Sequence, residues 1–205
     1  MRQIRAYLFV AVALCVPGCL SFSGDKLEEI DPPQARRAVT IESGFRDFLF
    51  QVDGSSIFNT AYVAAKINKD ILECWEYHGY VTRFDQRGRS PFKGHTDFTL
   101  ALNGGVYGHS AVVLDFLHVL TLGAVPTILA VEGYAEYELT NTQTGEVFTA
   151  MIEEDMDRVY WLPFILGFPF QNVGRAHVLD KAALHLYKKF ADQGAFDRRD
   201  EATGG

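Results

Sequence analysis

Cysteine is sparse: the chain has three in 205 residues, at positions 15, 19 and 74, and none forms a CxxC pair. The six histidines include no HExxH pair, so zinc has no ordinary site. Basic side chains are in deficit, with 19 Lys and Arg against 26 Asp and Glu, a net charge of −7 and a pI near 5.3. A nucleic-acid footprint needs a concentrated basic face, and the sequence offers none. There is no internal repeat, and no charge-free apolar run of the roughly 20 residues that a membrane span takes. Catalytic signatures are equally thin. GHSAV at 108–112 opens like the GxSxG nucleophile elbow, but Val112 replaces the second glycine. Ser110 working with a histidine is the least unfavourable hydrolase, and a cap or turn is the ordinary role for that serine. EEDMD at 153–157 offers oxygens to a hard cation yet lacks the glycine and ligand spacing of a calcium loop. No catalytic, cofactor-binding or metal-ligating residue is assigned.

What is present is an average globular composition, 48% apolar and 22% charged, in a length that fits one domain with a single core. The start of the chain departs from that average. MRQIRAYLFVAVALCVPGC sets Arg2 and Arg5 ahead of an apolar run from Ala6 to Val16, followed by Pro, Gly and Cys. That order reads as a signal peptide over residues 1–18, too short to span a bilayer. Its end resembles the lipobox of bacterial lipoproteins, with Val16 and Gly18 at matching positions, and the resemblance implies acylation of Cys19. A plain secretory signal cut near Ser21 to Ser23, or an uncleaved anchor, are the alternatives. With Cys15 removed and Cys19 acylated, Cys74 remains alone and no intramolecular disulfide can form. Loss of Arg2 and Arg5 leaves 17 basic against 26 acidic side chains, a net of −9, so attachment would rest on acyl groups rather than on attraction to anionic lipid. By the same resemblance, Leu20 after Cys19 implies the outer membrane.

Residues 19–38 comprise the lipidated cysteine and a tether stiffened by Pro32 and Pro33. A single α+β domain is expected over 39–194, and a disordered tail over 195–205. Ile57, Ala61, Ala64, Ile67, Ile71 and Cys74 recur at steps of three and four, which predicts a helix capped by Ser55 or Ser56 and stopped at Gly79, with Trp75 at the edge of its apolar stripe. YVTRFD (80–85) and TDFTLALN (96–103) read as strands, joined by an exposed basic turn carrying Arg87, Arg89 and Lys93. Residues 127–161 read as a hairpin turning at NTQTG. Leu129, Val131, Ala135, Tyr137 and Leu139 fall on its core face, and Glu132, Tyr134, Glu136 and Glu138 on the other. Val178, Leu179, Ala182, Leu186 and Phe190 predict a last helix stopped at Gly194.

Two apolar stretches resist this pattern. SAVVLDFLHVLTLGAVPTILAV (110–131) contains Asp115, His118 and Pro126, which argue for a short element over 111–120, a turn, and then the hairpin strand. WLPFILGFPF (161–170) is broken by Pro163, Gly167 and Pro169. Packed together they would be core; exposed, they would form an apolar interaction surface, with Leu120, Leu122, Pro126, Trp161, Phe164 and Phe168 as its candidates.

The lipobox-like start, the Pro-bearing tether, TLGAVP (121–126), the Tyr-rich hairpin and the WLPF segment together resemble a group of Gram-negative envelope lipoproteins. The resemblance implies an α+β domain with an antiparallel sheet of about four strands, packed with an N-terminal and a C-terminal helix. It also implies a non-catalytic binding or scaffolding role, with the lipid bilayer, through acylated Cys19, and an envelope protein as partners. The alternatives are the Ser110 hydrolase and an accessory subunit of an envelope transport or export assembly.

Overall fold

The computed structural model describes residues 18–23, 26–56, 60–88, 90–93, 95–121, 124–161 and 173–197. In chain order the elements are β1 (Gly18–Ser23), β2 (Val39–Val52), β3 (Ser55–Ser56), α1 (Thr60–Tyr77), β4 (Val81–Gly88), β5 (Phe98–Ser110), α2 (Val112–Leu120), β6 (Thr127–Asn141), β7 (Val147–Trp161) and α3 (Val173–Asp192). The α+β reading holds, but the sheet is larger than four strands. Six long strands run in the order β1-β7-β6-β5-β2-β4, and the two-residue β3 sits further along the β4 edge of β2. Nor is the sheet wholly antiparallel: β2 is parallel to both β4 and β5, while the other pairs are antiparallel.

β2 escaped the periodicity reading for a local reason. Its core side chains Val39, Ile41 and Phe45 are odd-numbered, but the next one inward is Phe48. Between the pairs Phe45–Leu102 and Phe48–Gly104, two residues of β2 oppose one of β5, a bulge that switches which parity faces inward. The Asp-Gly pair after β2 also lay unused. Asp53 (φ 49°) and Gly54 (φ 76°) form the tight turn into β3, as two left-handed residues in a two-residue hairpin do. Ser55 and Ser56 are therefore strand residues and not helix caps.

Both long helices end as their sequences specify. Gly79 (φ 73°) donates to Glu76 O at 3.0 Å and Tyr80 N–H donates to Trp75 O at 2.9 Å. Gly194 (φ 82°) and Ala195 repeat the pattern on Ala191 O and Phe190 O. This paired closure needs a left-handed residue just past the helix, and glycine adopts that conformation without strain. It also turns the chain back: Ala195 and Phe196, expected in a frayed tail, are buried against the core.

α1 lies over β2 and β4, and α3 over β7 and β1, so both helices cover one face of the sheet. Trp75, expected at the margin of the α1 stripe, is instead fully enclosed between the helices. Its indole N–H donates to Ala183 O at 2.7 Å, and Tyr187, Phe190 and Phe196 meet it edge-on. Apolar spacing fixes which face of a helix turns inward but not which residue becomes its centre; that depends on the second helix. Cys74 is buried beside Trp75, as the spacing requires.

The segment expected as a tether is bonded to the body. Gly18–Ser23 pairs antiparallel with β7. Leu27 N–H donates to Glu154 Oε2 and Lys181 Nζ donates to Leu27 O, both at 2.8 Å. Tyr80 Oη donates to Pro33 O at 2.6 Å, and Arg36 N–H donates to Tyr187 Oη at 3.2 Å.

Candidate functional site

One end of the sheet concentrates the unusual features. There β5 stops at Ser110, α2 follows at once, and the chain returns as β6 from Thr127. α2 carries nine residues, VVLDFLHVL, and none of them is buried. Val112, Val113, Phe116, Val119 and Leu120 are all between 67% and 72% exposed. The two polar residues of the helix point the other way. Asp115 accepts a hydrogen bond from the Thr127 hydroxyl, and His118 Nδ1 contacts Val125 O at 2.7 Å. The usual amphipathic arrangement is thus inverted: polar side chains, spaced i and i+3 on one face, tie the helix to β6, and the apolar ones other than the half-buried Leu114 face outward. A helix in water that exposes this much apolar surface has the signature of an interaction surface.

Strand register brings the expected acylation point to the same end. Cys19 is opposite Tyr160, which is opposite Thr127, the residue that Asp115 holds. Two strand spacings, roughly 10 Å, separate Cys19 from Thr127 across the sheet. Of the sequence candidates, Leu120 is exposed on α2 and Pro126 is exposed just before β6. Trp161 ends β7 opposite Gly18. Leu122, Phe164 and Phe168 lie outside the described residues.

Beneath this end, between the sheet and the two long helices, is a cavity of about 340 Å³. Val52, Leu129 and Val131 line its outer part and are half-buried; Ile71, Tyr137, Ile152 and Ala182 close its inner end and are buried. It therefore deepens from the end where α2 sits. Val63 and Ile67 of α1 and Val178 and Leu179 of α3 form its roof, and Gly133 is part of its floor. The glycines in this region differ in kind. A Cβ on Gly104 would collide with the Tyr134 carbonyl, so that glycine is demanded by the backbone. A Cβ on Gly133 would meet Glu154 O at 3.7 Å and Val106 Cγ2 at 3.9 Å, ordinary contacts, so nothing in the strand requires glycine there.

The inner wall carries a buried ion pair. Lys181 Nζ lies 3.2 Å from Glu154 Oε1, with both side chains below 10% exposed, and Leu27 supplies each with a backbone partner. Tyr137 has a buried hydroxyl with no hydrogen-bond partner among the described residues, and burial drives its ionisation far above the ordinary tyrosine range.

The chemistry weighed at Ser110 takes a different form here. Ser110 Oγ donates to Asp53 Oδ2 at 2.5 Å and Ser110 N–H donates to Asp53 Oδ1 at 3.0 Å. The hydroxyl is the first of these two donors in holding the Asp53 carboxyl below its ordinary value. The serine thus gives its proton's hydrogen bond to a carboxylate in the turn after β2, where a nucleophile would give it to an imidazole. Nor does Ser110 have the strained backbone of an elbow: among the described residues Asp53 is the only non-glycine with positive φ. His95 and His109 stand at opposite ends of β5, and His185 contacts Glu28 O at 2.8 Å. Among the described residues no three His, Cys, Asp or Glu side chains are grouped to hold a metal, and no helix is long and apolar enough to cross a membrane. The basic turn is less free than expected. Arg87 is ion-paired with the buried Glu42 and lies 3.2 Å from Asp85, and Lys93 N–H donates to Glu42 Oε2 at 2.8 Å.

No protein-family model matches the chain, and no curated protein matches it in sequence. Among solved structures it is similar to a Helicobacter pylori protein described as a homologue of a neuraminyllactose-binding hemagglutinin, at 12% identity over 84% of this chain and 96% of that one, with a TM-score of 0.44. A Xanthomonas campestris protein of the DUF330 family is similar at 9% identity, covering 86% and 97%, with a TM-score of 0.43. The PelC dodecamer of Paraburkholderia phytofirmans is similar at 11% identity, covering 81% and 98%, with a TM-score of 0.29. Likenesses this distant transfer no function, and they do not bear on the lipobox.

Sequence reasoning reached the apolar segment but not its orientation. In the sequence Asp115 and His118 read as obstacles to a membrane span; in the fold they anchor α2 inside out. The one available signal was that both fall on a single helical face.

Proposed function

We propose that this protein is an envelope lipoprotein that binds or scaffolds at the outer membrane without catalysis, seated on the bilayer by acylated Cys19 and by the outer face of α2. The observation that carries this reading is the inverted polarity of α2, with Asp115 and His118 turned to the body and Val113, Phe116 and Leu120 turned away. The bilayer is favoured as the occupant of that face because the register sets Cys19 at the same sheet end. Acyl chains on Cys19 would hold the protein at the bilayer without orienting it, and an apolar helix face at the same sheet end would fix which end meets the lipid. The acidic body contributes no electrostatic attraction to anionic lipid, and adhesion through α2 should therefore persist at high salt.

Two measurements test it. Labelled palmitate should enter the wild-type protein and not Cys19→Ser. In vesicle flotation, Cys19→Ser should still float in part, in 0.5 M salt as in 0.05 M, while a chain that also carries Val113→Glu, Phe116→Glu and Leu120→Glu should remain at the bottom of the gradient. Equal flotation of the two chains would reject α2 as the membrane contact. Absence of palmitate would reject the anchor.

A further inference from the structure

We infer that the cavity beneath the α2 end is a binding site for a single acyl chain, drawn from the membrane on which the proposed reading seats this end of the sheet. The inference rests on that reading for the source of the chain, but the cavity argues for the ligand class by itself.

Its volume, about 340 Å³, lies near the lower bound for small-molecule sites. At the roughly 30 Å³ that a water occupies in the liquid, taken as the size of a methylene, there is room for on the order of ten such groups. One chain fits; a two-chain lipid does not. The walls are formed by aliphatic and aromatic side chains of all the layers: Phe50 and Val52 from β2, Ile67 from α1, Val131 from β6, Met156 from β7 and Leu179 from α3. The buried charges beside it, Glu154 and Lys181, are engaged with each other and with Leu27, and among the described residues of the lining the buried polar atoms without a hydrogen-bond partner are the Tyr137 hydroxyl and Asp155 Oδ1. Two such oxygens in a mostly apolar lining are few for holding a polar small molecule, and the Asp155 carboxylate disfavours an anion, whereas an apolar chain is held by the aliphatic and aromatic walls.

The floor gives the second, independent observation. Gly133 has room for a side chain that the backbone does not forbid, and Ala135 follows two residues later on the same face. Apolar interiors close-pack, and a void of this size between two helices and a sheet costs stability, because its lining forfeits contacts on one side. The two small residues keep the space open where Leu or Ile would fill it. The shape also has a direction. The lining goes from half-buried at Val52 and Leu129 to buried at Ile71 and Tyr137, so a chain entering from the α2 end would run inward with its terminal methyl toward Tyr137 and leave its polar head outside.

The test uses the full chain with Cys19→Ser, secreted and purified without detergent, and saturated fatty acids of 6 to 16 carbons held below their micelle concentrations. Calorimetric titration should give one saturable site with a negative heat-capacity change. Affinity should rise about fourfold with each added methylene until the cavity is full, near ten carbons, and then level off. Gly133→Leu and Val131→Trp should each weaken dodecanoate binding at least tenfold while keeping the wild-type circular dichroism spectrum and a cooperative melt. The Val113→Glu, Phe116→Glu, Leu120→Glu chain should bind dodecanoate as the parent does, which separates failure of the membrane contact from failure of the cavity. Native mass spectrometry after incubation with phosphatidylethanolamine vesicles or with free dodecanoate then distinguishes an esterified from a free chain; an adduct in either arm supports the site. No saturable binding, affinity independent of chain length, or full binding by folded Gly133→Leu and Val131→Trp chains would each overturn the assignment.

Discussion

At the scale of single residues, Tyr137 and Trp75 show how differently two buried polar aromatics can be placed. The Trp75 indole N–H has a carbonyl partner and its ring is gripped by three others, so its removal costs both a hydrogen bond and a large volume. Truncation to alanine at such a site costs about 3 to 5 kcal/mol. The Tyr137 hydroxyl is enclosed without a partner among the described residues and gives up its bonds to water on folding for nothing in return. Tyr137→Phe is accordingly expected to leave stability unchanged or to raise it by up to about 1 kcal/mol, read as an upward shift of the urea midpoint. A fall of similar size would mean that the hydroxyl has a partner after all, such as a trapped water. Residue identity also decides the sheet locally. Gly104 is fixed by a carbonyl that any side chain would strike, whereas Gly133 is fixed by nothing in the strand, and that contrast is what marks the cavity floor.

At the scale of elements, the decisive contacts join segments far apart in sequence. Lys181 on α3, Glu154 on β7 and the backbone of Leu27 close on one another and bind the N-terminal segment to the helix face. Removing one charge leaves the other enclosed. Lys181→Met should therefore cost about 3 to 5 kcal/mol in denaturant unfolding. Combining it with Glu154→Leu removes the orphan charge and should restore most of the loss, to within about 2 kcal/mol of wild type, the remainder reflecting the two unpartnered groups of Leu27. Additive losses in the double variant would show that the charges do not act as a pair. α2 illustrates the complementary case of an element held by polar contacts and not by burial. Asp115 and His118 do for it what an apolar stripe does for α1, and its apolar residues are left to face outward.

At the scale of the whole molecule, the core around Trp75 is unusually rich in groups that resist losing a proton. Burial pushes the Cys74 thiol up to about 11 and the Tyr80 hydroxyl to about 12, and it raises Tyr187 as well. Above pH about 8.5 the unfolded chain begins to release protons that the folded chain keeps. Folding stability from these groups is complete below that point and is lost as pH rises toward their folded values, each contributing a slope of up to about 1.4 kcal/mol per pH unit. The melting temperature should thus fall between pH 9 and 11, and tyrosinate absorbance should appear together with the loss of circular dichroism. Tyrosinate appearing fully before unfolding would contradict it.

How much of this architecture could be read beforehand follows from which interactions are local. The two long helices, their glycine stops at Gly79 and Gly194, the 127–161 hairpin and its two faces were legible, because 3.6-residue and 2-residue periods and a left-handed stop are properties of neighbouring residues. β2 was not, because its bulge breaks the alternation on which strand reading depends. The parallel pairing of β2 with β4 and β5, the central position of Trp75, the alignment of Cys19 with the α2 end and the existence of the cavity were decided only when elements distant in the chain came together. Composition and spacing predict a short apolar element over 111–120; that it is a helix, and whether its apolar side faces the core or the outside, depends on Thr127 and Val125 offering Asp115 and His118 something to bond. That choice belongs to the tertiary structure, since the direction of a side chain follows from where its partners are.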